Sequence, residues 1–256
     1  MECVLGDVPA NIDKIREFCG RAKREGAELI VFPEMSDTGY RMDVIRECAT
    51  DWNRGAVPAL KQTARELSLA IICGVSERDG DCIYNSQAMI DSRGELIAKY
   101  RKTHLFSPAP VEEHTCFTAG DELVAQKIEN LSVGLSICYD LRFPELFRVL
   151  ACEKGANVFA MSSAWPFPRL EHFRTLCMAR AIENQSYMIA ANRVGTDVRV
   201  TFCGSSMIVD PAGAVIAAAV ADREQLIYAD IHVEDVDVVR QRMPVFADRR
   251  EQLYRG

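Results

Sequence analysis

Leu135-Ser-Ile-Cys138-Tyr-Asp-Leu-Arg142-Phe-Pro144-Glu145 is the stretch on which the fold turns. An apolar run beginning at Ser132 ends on a cysteine, and six residues later Pro144 opens an amphipathic segment that Gly155 closes. Proline suits a first helical position, because the N–H it lacks would be unpaired there anyway. The stretch reads as strand, elbow, helix. A nucleophile at such an elbow stands at the end of a sheet, where backbone N–H groups can bind an oxyanion. The helix dipole is expected to favour its thiolate. The same window also fits an inert thiol at a strand end.

Upstream, Ile12, Ile15, Phe18, Cys19 and Ala22 recur at helical spacing, predicting a helix over 11–24 stopped by Gly26. A strand over 28–32 runs straight into Pro33-Glu34. A helix over 59–67 leads to a strand over 70–74. Strands over 83–90 and 95–101 flank Asp91-Ser-Arg-Gly94, a hairpin signal. Downstream come strands over 123–128 and 132–137, the Pro144 helix, a strand over 158–161, a helix over 170–184 and a strand over 187–191. Strands over 202–209 and 214–220 flank Asp210-Pro-Ala-Gly213. A last strand over 225–231 precedes a short helix and a tail from about 243. Without a Gly/Ser-rich or Pro-rich linker, residues 1–256 read as one domain of α/β layers with mixed sheets.

The order repeats. Met89-Ile-Asp-Ser-Arg-Gly-Glu-Leu-Ile-Ala98 is similar to Met207-Ile-Val-Asp-Pro-Ala-Gly-Ala-Val-Ile-Ala217, and Arg24-Glu-Gly-Ala-Glu-Leu-Ile-Val-Phe32 to Glu153-Lys-Gly-Ala-Asn-Val-Phe159. Two such halves can pack sheet to sheet with helices outside; turn chemistry alone also repeats Gly and Asp. In the second half a strand precedes the first helix. In the first half it is missing or very short, which leads us to expect a natural start upstream of Met1.

Of the 256 residues, 48% are hydrophobic and 26% charged, ordinary for a globular chain and excluding disorder or coiled coil as the main description. The formal net charge of −7 argues against a nucleic-acid or anionic-membrane partner. The N-terminus lacks the basic and apolar regions of a signal peptide, so a cytoplasmic location is expected. The ten cysteines form no zinc half-site, since the closest pair, Cys73 and Cys82, is nine apart. They read as free thiols in a reducing compartment.

A thiol nucleophile needs a base to activate it and an acid for a leaving amine. Glu34 sits at a strand end and suits both tasks, although a solvated loop carboxylate is the usual fate of Glu. In Lys99-Tyr-Arg-Lys102-Thr-His104-Leu-Phe106, Lys102 and His104 share a strand face. A cation there would lower a thiol's pKa and stabilise an oxyanion, while a charged edge strand is the plainer reading.

Taken together and in this order, Pro33-Glu34, Tyr100-Arg-Lys102-Thr-His-Leu-Phe106 and Cys138-Tyr-Asp-Leu-Arg-Phe-Pro-Glu145 resemble the three motifs of the nitrilase superfamily, the carbon–nitrogen hydrolases. The resemblance covers nearly the whole chain and implies a four-layer αββα sandwich, usually a homodimer or higher homo-oligomer. It implies Glu34 as general base and acid, Cys138 as nucleophile and Lys102 as stabiliser of the tetrahedral intermediate. Glu113, seven before Gly120-Asp121, fits the family's second glutamate best, with Glu112 beside it. The Tyr139 backbone N–H would complete the oxyanion hole. No metal or organic cofactor is implied.

Tyr139-Asp140 after the cysteine, where true nitrilases tend to have Trp-Glu, points to the small-amidase branch. That branch includes ω-amidases acting on 2-oxoglutaramate and amidases for deaminated glutathione. Other aliphatic amides or nitriles remain alternative substrates. Tyr40, Trp165 and Phe167 are candidate pocket residues, and Arg142 and Arg193 candidate carboxylate ligands. Three rivals stand beside this reading: a Cys–His hydrolase using His104 or His172, a non-catalytic nitrilase-like binding module, and a redox-sensing thiol.

Overall fold

Alternating and helical apolar periods resolve into two facing sheets with helices on their outer faces. In the computed structural model, which describes residues 1–198 and 200–254, the first half comprises α1 (Val8–Arg24), β1 (Leu29–Val31), α2 (Met42–Cys48), α3 (Ala56–Leu67), β2 (Ala70–Asp79), β3 (Cys82–Ile90) and β4 (Leu96–Arg101). Its sheet has the order β1-β2-β3-β4, with β1 parallel to β2 and the rest antiparallel. The second half comprises β5 (Ala125–Ile128), β6 (Leu131–Ile137), α4 (Pro144–Cys152), β7 (Val158–Ser163), α5 (Leu170–Asn184), β8 (Tyr187–Asn192), β9 (Thr196–Asp197), β10 (Val200–Thr201), β11 (Met207–Val209), β12 (Val215–Ala218) and α6 (Val233–Arg242). Its main sheet runs β12-β11-β8-β7-β6-β5, with β6, β7 and β8 parallel. Strands β9 and β10 pair separately.

Alternation on β2 shows how the layers assemble. Ile71, Cys73 and Val75 pack with Ile15, Phe18, Leu60 and Ala64 of α1 and α3. Ala70 and Ile72 face the other way and join Leu135, Ile137, Phe159 and Met161 of the second sheet. On that sheet's far side Phe147 and Leu150 of α4 and Phe173 and Cys177 of α5 close the core. Each fully buried aliphatic side chain contributes roughly 1.5–3 kcal/mol, so one strand glues both sides at once. Polar bonds also cross between the sheets: Gln87 Nε2 donates to Ser162 Oγ at 2.9 Å, and Ser162 Oγ donates to the Phe32 carbonyl at 2.7 Å.

The duplication is visible strand for strand. Each sheet carries a parallel pair followed by two antiparallel strands. Both terminal hairpins shift register at matching places, between Met89 and Ile90 and between Ile208 and Val209. The first sheet ends at β1, where the second continues into β6 and β5.

Two expectations are corrected. Residues 225–231 form no strand; they line a cavity of about 940 Å³ with the outer edge of β1 and pair with no described strand. A strand is defined by an edge to pair with, which local propensity cannot supply. Residues 202–206 lie outside the ladder, leaving β11 only three residues long. Helix α2 was not expected, and β2 runs on to Asp79. No helix among the described residues is long and apolar enough to cross a membrane. The ten cysteines are free thiols.

Candidate active site

Strand ends deliver the candidate catalytic groups. β1 exits through Phe32 and Pro33 to Glu34, β4 ends one residue before Lys102, and β6 ends one residue before Cys138. Glu113 opens a short 3₁₀ turn, Glu113–Thr115, in the loop after β4. Chain close to β2 makes room for Glu34: a Cβ on Gly74 would come within 2.6 Å of both Glu34 Cα and the Pro33 carbonyl, so only glycine fits.

Cys138 sits at the predicted elbow with φ of 44°. A non-glycine residue there is strained by about 1–3 kcal/mol and persists only where its surroundings hold it. Asp140 does the holding. Its Oδ2 accepts from the Ile137 N–H at 2.9 Å and from the Tyr100 hydroxyl at 2.7 Å. Its Oδ1 accepts from the His104 N–H at 3.2 Å and lies 2.8 Å from His104 Nδ1. The His104 ring stacks on Phe143, centroids 3.8 Å apart. His104 thus supports the elbow, and its Nδ1 is engaged away from the thiol.

Lys102 Nζ donates to Glu34 Oε1 and Glu113 Oε1, each at 2.9 Å, and all three side chains are fully buried. Asn85 Nδ2 bridges the same two oxygens at 2.6 and 3.0 Å. Glu34 Oε2 accepts from the Ala164 N–H at 2.8 Å. Glu113 takes two further donors, the Tyr40 hydroxyl on Oε1 at 2.8 Å and the Phe106 N–H on Oε2 at 2.6 Å. Glu112 is exposed, so burial separates the adjacent glutamates.

Two carboxyl groups and one ammonium share a dry site. Burial raises the Glu34 pKa, opposed by Lys102 and helped by the like charge of Glu113. Burial works against the Lys102 ammonium, but the Glu113 and Glu34 carboxylates outweigh it and raise its pKa. The Cys138 thiol is pushed well above its ordinary value by burial and the Glu34 charge, against the pull of Lys102. This corrects the expected lowering by dipole and cation. Desolvation is the largest cause, and it favours the thiol over the thiolate, which makes a base useful at the moment of attack.

A narrow pocket opens onto Cys138, and Tyr40, Tyr139, Arg142 and Trp165 line it as anticipated. Phe167 does not; its side chain is 59% exposed at the surface. Arg193 also falls away as a ligand, since it is buried in an ion pair with Asp197 and donates to the Cys3 carbonyl. The sequence reading missed Asn85, Phe106, Arg169 and the role of Asp140. Asn85 had a signal: it and Gln87 place polar groups on the face of β3 that also carries Met89.

Comparison with known proteins gives a consistent picture. The carbon–nitrogen hydrolase family profile matches residues 1–241. A 2-oxoglutaramate amidase of Bacillus subtilis is 37% identical, over 99% of this chain and 98% of its own. Human ω-amidase is 31% identical, over 95% and 91%. A mutant amidase from Nesterenkonia sp. AN1 superposes with a TM-score of 0.86 at 26% identity, covering 99% of this chain and 92% of that one. It was solved with the acetamide moiety of fluoroacetamide added covalently at its active-site cysteine.

Proposed function

The chain belongs to the carbon–nitrogen hydrolase family, and on that premise we propose that it hydrolyses a small carboxamide through a thioester on Cys138, with 2-oxoglutaramate as the preferred substrate. The carrying observation is the buried Glu34–Lys102–Glu113 cluster beside a thiol on a strained elbow.

Glu34 takes the Cys138 proton as Sγ attacks the amide carbon. The carbonyl oxygen becomes an oxyanion, which Lys102 and the Tyr139 N–H stabilise. Glu34 returns the proton to nitrogen, the C–N bond breaks and ammonia leaves. Water, deprotonated by Glu34, attacks the thioester; the C–S bond breaks, the thiol is re-formed and the carboxylic acid departs. A pKa raised by burial suits Glu34 to hold the proton between its two transfers. Glu113 fixes the ammonium from its other side. Tyr40, Tyr139, Arg142 and Trp165 line the acyl site.

The B. subtilis and human relatives support the choice of amide over nitrile. We read residues 1–256 as one hydrolase domain acting as a cytoplasmic homodimer. The test is ammonia release from 2-oxoglutaramate by wild type and Cys138→Ala from the same preparation. Release by wild type alone supports the reading. Equal release by both removes Cys138 from the reaction, and release by neither removes this substrate.

A further inference from the structure

We propose that the Ser163 hydroxyl is a further catalytic group, which donates a hydrogen bond to Cys138 Sγ each time that sulfur carries negative charge. This deepens the amidase reading and rests on it for the reaction in which that charge develops.

Strand register puts the two side by side. β6 and β7 run parallel with Ile137 beside Ser162, and one step further along stand Cys138 and Ser163. Neighbours across a parallel ladder point to the same face of the sheet. β7 also packs against the turn Cys138–Arg142 that carries the nucleophile. The backbone around Ser163 is tied down on both sides. Its carbonyl accepts from the Arg193 N–H at 3.0 Å, the Ala164 N–H donates to Glu34 Oε2 at 2.8 Å, and the Trp165 N–H donates to Asn192 Oδ1 at 2.7 Å. Two adjacent residues at the end of β7 therefore serve the nucleophile and the base together.

The Ser163 hydroxyl is fully buried and makes no hydrogen bond to oxygen or nitrogen among the described residues. Other buried serines are bonded: Ser36 and Ser162 donate to carbonyls, Ser76 and Ser86 to the carboxylates of Asp37 and Glu77. A buried hydroxyl left unpaired is costly, and the cost ends when an acceptor forms beside it. That acceptor is the Cys138 sulfur. Burial, Glu34 and Glu113 disfavour its thiolate, while Lys102 and the Ser163 hydroxyl favour it. In the attack, Sγ passes its proton to Glu34 and its electron pair forms the C–S bond. In the last step the C–S bond breaks, the pair returns to sulfur, and the proton follows from Glu34. Sulfur carries charge in passing at both moments, and a donor already in place stabilises it without reorganisation. Ser163 keeps its own proton throughout.

The test has two arms. In turnover of 2-oxoglutaramate, Ser163→Ala should lower kcat by about 10-fold with KM little changed, the loss expected for one hydrogen bond to a charged atom. The second arm needs no amide hydrolysis: alkylation of Cys138 by iodoacetamide, followed by peptide mass mapping to separate it from the other free cysteines. In Ser163→Ala it should slow by about 5-fold at neutral pH, and its pH profile should move upward, because less of the sulfur is thiolate. Ser163→Thr keeps a hydroxyl on the same Cβ and should recover part of both rates. The Tm of Ser163→Ala should not fall, since the hydroxyl removed is unpaired. An unchanged kcat and alkylation profile, or rates that drop only together with a loss of several degrees in Tm, overturn the assignment while leaving amide hydrolysis intact. Alkylation that depends on Ser163 in a wild type that turns over no amide would keep the contact and remove the amidase reading.

Discussion

Replacing Lys102 by Met keeps an unbranched side chain of similar reach and removes the ammonium between Glu34 and Glu113. Both carboxylates are fully buried, each 2.9 Å from Nζ. At an effective dielectric of ~20, each contact at that distance is worth about 6 kcal/mol of Coulomb attraction. The ammonium's own desolvation cost offsets much of it, and breaking a buried pair from one side costs about 3–5 kcal/mol net. At roughly 2–4 °C per kcal/mol for a chain of this size, Tm should fall by about 6–20 °C. The loss has a pH signature. Without the ammonium, the folded-state pKa of Glu34 rises further above the ordinary 4.5 of a glutamate. The stability from its protonated form is fully present below that value and is lost as pH rises through the raised one. The deficit relative to wild type should therefore be smallest near pH 5 and grow toward pH 8. Differential scanning calorimetry across that range measures it. A deficit under about 1 kcal/mol, or one that is flat with pH, would refute the picture of a buried cluster held by one ammonium.

Gly74→Ala places a Cβ 2.6 Å from backbone atoms of Pro33 and Glu34, which cannot yield; a loss of about 1–3 kcal/mol in unfolding and about 100-fold in kcat/KM is expected, and near-wild-type values of both would contradict the placement of Glu34. Tyr40→Phe removes one donor to Glu113 Oε1, so kcat should drop about 5-fold with the fold intact; an unchanged kcat would show that this bond does not hold the site. Because burial raises the Glu34 pKa and its base form starts the reaction, kcat/KM should fall on acidification through a single ionisation lying above 4.5, and a limb at or below that value would exclude Glu34 as the base.

The parts of this site that the sequence made legible are those fixed by local punctuation. Pro33-Glu34 and Cys138 each end an apolar run, and Pro144 signals a helix, so local sequence alone puts both groups at strand ends. The rest depends on distant neighbours. Asn85 reaches Glu34 across 51 positions and Asp140 reaches His104 across 36, contacts no local period encodes. The thiolate expectation failed for a related reason: the elbow and the cation are local, whereas the burial that raises the thiol's pKa belongs to the whole fold. Trp165 and Phe167 lie two apart and looked equivalent, yet the turn between β7 and α5 buries one and exposes the other. The segment 225–231 carries strand-like residues but pairs with no described strand. Glu112 and Glu113 differ by one position, and only the 3₁₀ turn decides which points inward.

The central claim is that one thiol among ten carries the acyl group. Rapid acid quenching during turnover of 2-oxoglutaramate, followed by peptide mass mapping, tests it directly. The account predicts a transient acyl adduct on the peptide bearing Cys138, absent in Cys138→Ala together with ammonia release. An adduct on another cysteine, or undiminished turnover by Cys138→Ala, would contradict it.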